Sequence, residues 1–325
     1  MNLIRNNTFY IAGLIGIITA LILTVFILFG WRQDISVTQN ENRQIFGATY
    51  MTMNNPYYQV LDSKLRSEIE ERGDVLLTRD AAMDQRRQNE EIEELINAGA
   101  KVIFLTPVEW EESEEGLTTA EKAGVPVIVV DAPVQATDKV ACSIVSDNYQ
   151  AGVLCAKHLL KHKDSAKIIL LEHITARSGT ERIQGFCDTI AWHSGFEVVG
   201  TGESDGQIEN AMPVMENLLE KCTDADTVMA LNDPSAFGAM AAIEGSGLTD
   251  SFSVYSVDGS PEAKALIQDN MMTATCAQFP YRMAEKAVDI AYDLLNGKEV
   301  QHEIVVPVEL ITEKNVGLFE QGGWQ

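Results

Sequence analysis

Positive charge is what this chain has least of. Its 325 residues carry 24 lysines and arginines against 48 aspartates and glutamates, a formal charge of −24. Such a field repels nucleic-acid phosphates and anionic headgroups, so no nucleic acid is expected as a partner. Missing motifs narrow the chemistry further. The chain has no Gly-rich phosphate loop, no Gly-x-Ser-x-Gly elbow and no His-Glu-x-x-His helix. An enzyme is therefore not expected, and neither is a cofactor. No cysteine precedes Cys142, so no lipoprotein attachment is expected at this end. Cys142, Cys155, Cys187, Cys222 and Cys276 contain no CxxC pair and have mostly apolar or small neighbours. That context predicts buried free thiols.

Charge of either sign is missing between Arg5 and Arg32. Residues 8–29 alone would make a helix of about 33 Å, enough to cross a bilayer core. A cleaved signal peptide has a shorter apolar region followed by a small-x-small site, and none follows Phe26-Ile27-Leu28-Phe29-Gly30-Trp31. We read residues 1–32 as an uncleaved transmembrane anchor, with a removed signal as the alternative. Arg5 and Arg32 balance, so flanking charge does not orient the span. The short N-terminal side and the large C-terminal part favour a C-terminal domain outside the cell, anchored in the cell membrane by a single pass. Residues 33–43 are polar and read as a linker, about 40 Å long when fully stretched.

The remaining chain alternates strand and helix patterns. Helical spacing falls at 56–72, 84–98, 148–161, 179–192, 207–222, 233–244, 261–269 and 280–296. Apolar strand runs fall at 45–52, 102–105, 127–130, 168–171, 227–231, 253–257 and 272–277. Regular alternation marks a parallel α/β sheet, and about 280 residues exceed what one core usually serves, so two domains are expected.

Several strand runs end in polar residues. Asn54-Asn55-Pro56-Tyr57-Tyr58 follows 45–52, Asp131 follows 127–130, Asn232-Asp233-Pro234 follows 227–231, Asp258-Gly259 follows 253–257 and Gln278 follows 272–277. Arg182 stands near the start of the helix after 168–171. In open α/β sheets the ligand crevice lies beyond the carboxyl ends of the strands, so these residues predict one shared small-molecule site. Carboxylates, a guanidinium, carboxamides and two tyrosines suit a sugar. Hydroxyls need donors and acceptors at fixed angles, and the C–H faces of the ring need aromatic walls. Each residue also has a local reading. Asn55-Pro56 is a favoured helix start, Asp131 and Asp258-Gly259 suit turns, and Arg182 beside Glu181 could be a surface ion pair.

Taken together, Asn54-Asn55-Pro56-Tyr57-Tyr58, Val130-Asp131, Arg182 ahead of Gln184-Gly185-Phe186, Asn232-Asp233, Val257-Asp258-Gly259 and Ala277-Gln278 resemble type I sugar-binding proteins of ABC importers, above all the ribose-binding branch. The likeness runs from Gln44 to the C-terminus. It implies the type I periplasmic binding protein fold: α/β, with two doubly wound parallel-sheet lobes joined by three hinge crossings, here behind an N-terminal transmembrane helix. It places residues 44–146 with 279–307 in an N-terminal lobe and 147–278 with 308–325 in a C-terminal lobe. The crossings fall near Ser146-Asp147, Gln278-Phe279 and 306–309. It implies binding roles for Asn55, Tyr57, Tyr58, Asp131, Arg182, Asn232, Asp258 and Gln278, with Asp233 capping its helix and Asn232 free to bind. The implied partners are a small-molecule sugar and an ABC permease. The anchor also looks like that of the membrane-bound xylose-binding proteins of clostridia, which act beside a sensor kinase, and that would make a sensor histidine kinase the partner instead.

The departures from the ribose pattern bear on the ligand. Ala132 stands where ribose binders carry an arginine, Gly206 where they place an aromatic, and Val257 where an aromatic often precedes the aspartate. A different pentose, a hexose or a related polyol is expected. Cys155, His158 and His162 share one helical stripe, but a structural zinc site wants four ligands, so no metal is expected. His173, His193 and His302 are isolated in sequence.

Overall fold

The structure, a computed structural model, describes residues 43–320 and 322–325. The expected anchor, and all of the expected linker but Arg43, lie outside these residues. Among the described residues no helix is long and apolar enough to cross a membrane.

The chain runs β1 (Ile45–Tyr50), α1 (Pro56–Glu71), β2 (Val75–Asp80), α2 (Gln85–Asn97), β3 (Val102–Leu105), α3 (Glu114–Ala123), β4 (Val127–Asp131) and β5 (Cys142–Ser146). It continues through α4 (Asn148–His162), β6 (Ala166–Glu172), α5 (Arg177–Ile190), β7 (Phe196–Glu203), α6 (Ile208–Lys221), β8 (Thr227–Ala230) and α7 (Asp233–Gly245). It closes with β9 (Ser253–Asp258), α8 (Pro261–Gln268), β10 (Ala274–Ala277), α9 (Pro280–Leu295), β11 (Glu303–Val306) and β12 (Glu309–Thr312).

The strands form two six-stranded sheets. The first has the order β11-β5-β4-β3-β1-β2, with every pair parallel. The second has the order β12-β10-β9-β8-β6-β7 and is parallel except for β12, which runs antiparallel to β10. Each sheet with its flanking helices is one lobe. The chain passes between the sheets three times, after β5, after β10 and after β11.

Both sheets are buried on two faces, because successive strand residues point to opposite sides. In the first lobe Val102, Phe104, Ile128 and Val130 join the core beneath α1 and α9, while Ile103, Leu105, Val127 and Val129 join the core beneath α2 and α3. In the second, Ile169, Leu171, Val228 and Ala230 pack with α6 and α7, and Ile168, Leu170, Met229 and Leu231 pack with α4 and α5. Glycine sets one packing distance that matters for the site. A Cβ on Gly152 would stand 1.8 Å from the carbonyl oxygen of Arg182, and one on Gly185 would stand 2.1 Å from that of Tyr149. Helices α4 and α5 therefore touch backbone to backbone, which fixes where Arg182 begins.

The seven strand runs and eight helical patterns read from the sequence are all present, with ends displaced by a few residues; α5, for example, starts at Arg177 rather than 179. Strands β2, β5, β7, β11 and β12 and helix α3 were not singled out. Four of these strands are the sheet edges. An edge strand faces water on one side and carries polar residues, which dilutes the apolar run that marks an interior strand.

Candidate functional site

Two carboxylates end interior strands in unusual backbone geometry. Asp131, last in β4, has φ +78°, and Asp258, last in β9, has φ +143°. Side-chain-bearing residues in such regions cost about 1–3 kcal/mol each and persist only where their surroundings hold them. Both are buried at 2 % exposure. Asn55 caps α1, its Oδ1 accepting from the Tyr57 amide at 2.9 Å, and Pro56 opens the helix. This start sets Tyr57 and Tyr58 in the first turn, edge to face at 5.5 Å. The Tyr58 hydroxyl donates to Asp131 Oδ2 at 3.2 Å. Across the crevice Arg182 donates from Nε to Asn148 Oδ1 at 2.9 Å and from Nη1 to the Leu231 carbonyl at 3.0 Å. Its Nη1 lies 3.7 Å from Asp258 Oδ1, which also accepts from Gln278 Nε2 at 2.8 Å.

These groups converge. Asn55, Tyr57, Tyr58, Asp131, Arg182, Asp258 and Gln278 line one inner cavity of about 20 Å³ between the lobes. An outer compartment of about 270 Å³ shares Asn55 and Asp258 with it and is lined further by Pro56, Gly206, Phe237 and Trp324. The lobes are in contact on both sides of the crevice. Asn54 Nδ2 donates to Gln207 Oε1 at 3.2 Å and to Glu209 Oε1 at 2.9 Å. The Trp110 amide donates to the Thr175 carbonyl at 3.2 Å, and Arg177 lies over the Trp110 ring at 5.2 Å. Asp131 Oδ1, Gln278 Oε1 and Asn148 Nδ2 are buried without a hydrogen-bond partner. Leaving such groups unmet costs about 1–3 kcal/mol each, and two of the three are acceptors that a hydroxyl would satisfy.

The sequence of residues 46–299 matches the family described as periplasmic binding protein domain. The chain belongs to that family. This periplasmic binding protein is 33% identical over 277 residues to the ribose import binding protein RbsB of Bacillus subtilis, covering 85% of this chain and 89% of that protein. It is 30% identical to the ribose import binding protein RbsB of Escherichia coli, over 81% of this chain and 88% of that protein. Among solved structures, an ABC transporter solute binding protein from Mycobacterium smegmatis with bound glycerol superposes with TM-score 0.82 at 26% identity, over 87% of this chain and 100% of that one.

Asn232 does not line the inner cavity of this periplasmic binding protein. It is the N-cap of α7: its Oδ1 accepts from the Ser235 amide at 3.0 Å and its Nδ2 donates to the Gly206 carbonyl at 3.0 Å. The expectation that Asp233 caps this helix is thereby corrected. Asp233 instead accepts from Ser256 Oγ, from Thr275 Oγ1 at 2.7 Å and from the Ser260 amide at 2.8 Å. Its own amide faces Asp258 Oδ2 at 3.3 Å. Both oxygens of the Asp233 carboxylate are taken by these donors, so capping falls to the residue before it.

Burial pushes the Asp131 carboxyl above its ordinary value, with Arg182 and the tyrosine hydroxyls partly opposing the rise. Burial, then the neighbouring charge of Asp233, pushes Asp258 well above its ordinary value against the pull of Arg182. Burial likewise raises Tyr57 and Tyr58, so both rings stay neutral.

Met51, His173, Ala176, Ser178 and Leu231 also line the inner cavity. His173 is thus not isolated in space. It follows β6 at the same strand-end address that marked the aspartates, and burial holds its imidazole below the usual value. Asn148, which holds Arg182, stands just past the end of β5 in the same way. The departures also find their places. Gly206 has φ +67°, a conformation an aromatic rarely adopts, and Val257 is buried in the second-lobe core. Cys142, Cys155 and Cys276 are buried free thiols, while Cys187 and Cys222 are half-buried. His158 and His162 stack at 4.0 Å, with the Nδ1 of His158 on the Tyr255 hydroxyl and that of His162 on the His158 carbonyl.

Proposed function

We propose that this periplasmic binding protein takes a monosaccharide, a pentose, hexose or related polyol, between its lobes outside the cytoplasm and presents it to an ABC importer. The observation that carries the reading is the pair of unpartnered buried acceptors, Asp131 Oδ1 and Gln278 Oε1, at a cavity walled by Tyr57 and Tyr58. A ring bearing several hydroxyls would donate to both acceptors and lay its C–H faces on the tyrosines. The Arg182 guanidinium and the Asn55 amide would donate to ring or hydroxyl oxygens, and Asp258 would accept. Closure would turn on the three crossings near Ser146-Asp147, Gln278-Phe279 and 306–309, with Gln278 at a hinge and in the cavity at once. The ribose import relatives and the glycerol-bound neighbour support a polyol, and Ala132 in place of an arginine argues against ribose as the tightest one.

The uncharged run between Arg5 and Arg32 favours a second reading, a receptor subunit held at the membrane whose closure alters a neighbouring sensor kinase. Calorimetry of the chain against pentoses, hexoses and inositols tests the first claim. Micromolar or tighter binding of at least one is expected, and binding of none would refute it. Exchanging residues 1–32 for a lipid anchor separates the partners, because uptake would survive tethering while kinase signalling, which needs the span's own packing, would fail.

A further inference from the structure

The chain returns to the crevice after its last strand. Lys264, on α8 and fully buried, donates to the backbone oxygens of Glu320 and Gly323, at 2.5 and 2.6 Å, and to Gln325 Oε1 at 3.0 Å. Gln325 Nε2 in turn donates to the carbonyls of Gly259 at 2.9 Å, Gln278 at 3.2 Å and Asp258 at 3.4 Å. Two of these carbonyls belong to residues whose side chains line the inner cavity. Gly259 admits the amide, because a Cβ there would stand 2.5 Å from Gln325 Nε2. From this hold on the second lobe, Trp324 reaches the first. It is buried within the first-lobe core, with its ring 5.6 Å from that of Tyr57 and at 69° to it. It also walls the outer compartment beside Asn55 and Asp258.

We infer that Gly322–Gln325 is a latch in which Trp324 is a positioning residue, holding Tyr57 against the ligand and tying that placement to closure of the lobes. The inference rests on the closing-crevice reading given above. It supplies from the tail the aromatic that Gly206 and Val257 do not provide. When the lobes part, one end of the segment has to release. Lys264 and its three acceptors belong to one lobe, so parting the lobes leaves those bonds intact and withdraws the indole from the first-lobe core. The latch therefore acts on ligand release rather than on entry.

The test uses the full chain as wild type, Trp324→Ala, Trp324→Phe and Gln325→Ala, with D-ribose, D-xylose and myo-inositol as probes. Stopped-flow binding should show the dissociation rate of a bound probe rising about tenfold in Trp324→Ala, with association changed less than about threefold and with Trp324→Phe restoring most of the difference. Hydrogen exchange without sugar should show protection lost at residues 54–58 and 206–209 in Trp324→Ala and kept in β4 and β8. A protein that merely lost core packing would lose protection in β4 as well. An unchanged dissociation rate, or, where no probe binds, unchanged exchange at both crevice segments, overturns the latch. If none of the three sugars binds the wild type, it is the sugar reading that suffers, while exchange still judges the latch. If Trp324→Ala does not fold, Gln325→Ala, which removes the hold on Gly259 and its neighbours and one of the three acceptors of Lys264, must show the same exchange pattern or the inference falls.

Discussion

The two lobes meet the crevice in different ways. The first brings aromatic rings and a carboxylate with one oxygen unpartnered, held by packing and by a strained strand end. The second brings a network bonded in advance: Asn148 and Leu231 hold Arg182, Gln278 and the Asp233 amide hold Asp258, and Ser256, Ser260 and Thr275 hold Asp233. Polar groups that satisfy one another before a ligand arrives need no reorganisation when it does. On this view the second lobe supplies a largely preformed surface that leaves only Gln278 Oε1 and Asn148 Nδ2 open, and the first supplies rings and one open carboxylate oxygen. Losses in the second lobe should then damage the fold and binding together, and losses in the first should separate the two.

The hardest test of the contrast is Arg182→Ala. It leaves Asn148 Oδ1 and the Leu231 carbonyl without their donor and Asp258 without its cation, and each buried polar group left unmet costs about 1–3 kcal/mol. Denaturant unfolding should show a loss of that order, and calorimetry should show no measurable sugar binding. A variant of wild-type stability would mean that the network is not holding itself together.

Gly152→Ala should come next. The new Cβ would meet the Arg182 carbonyl at 1.8 Å, forcing α4 from α5 at a cost of about 1–3 kcal/mol or more. Binding should weaken although Gly152 does not line the cavity, and unaltered affinity would sever Arg182 from the helix contact.

In the first lobe, Asp131→Asn should pull stability and binding apart. Burial raises the Asp131 pKa in the fold, so the folded chain holds this proton more tightly than the unfolded one. Protonation then favours the fold. The contribution of this group to stability rises as pH falls from the folded pKa towards the unfolded value of about 3.9, and it is lost as pH rises through the folded pKa. Asn removes the buried charge, so at pH 7 the ligand-free variant should be more stable while binding weakens about tenfold, which is about 1.4 kcal/mol. Thermal unfolding across pH 4–8 should show the gap between wild type and variant closing towards acid. A variant less stable than wild type at pH 7 would reverse the comparison. The smallest effect is expected from Tyr58→Phe, which removes the donor to Asp131 Oδ2 and should cost binding about 0.5–1.5 kcal/mol, measurable by calorimetry as a several-fold loss with the enthalpy reduced.

The convergence of Asn55, Tyr57, Tyr58, Asp131, Arg182, Asp258 and Gln278 was legible because strand ends in a parallel sheet share one address, and apolar runs announce interior strands. Asn232 shares that address but spends both ends of its amide on the α7 cap and on Gly206, a choice that depends on a glycine 26 residues away. Asn148 is harder to read, because β5 carries two serines and a cysteine that dilute the apolar run announcing its strand end. His173 was legible in principle, since it follows an interior strand. Trp324 was not. Nothing in Gly322-Gly323-Trp324-Gln325 signals a site, and its place is decided by the buried ammonium of Lys264, far away in sequence. The contacts across the mouth, Asn54 with Gln207 and Trp110 with Thr175, likewise exist only once both lobes are in place.

The three passages of the chain between sheets also dictate an order of birth. Strands β6 to β10 form an unbroken stretch set inside the first sheet, whose last strand, β11, lies beyond them and pairs with β5 through Val306 and Ser146. At the usual pace of about 5–20 residues per second, a ribosome would spend roughly ten seconds or more between finishing β5 and delivering β11. Through that interval β5 presents an open edge and the α9 face of the first lobe stays bare, while the later lobe already has nearly all its strands. The half of the protein that begins first would wait with its sheet incomplete while most of the other is made, and its exposed edge is where a nascent chain would most need protection.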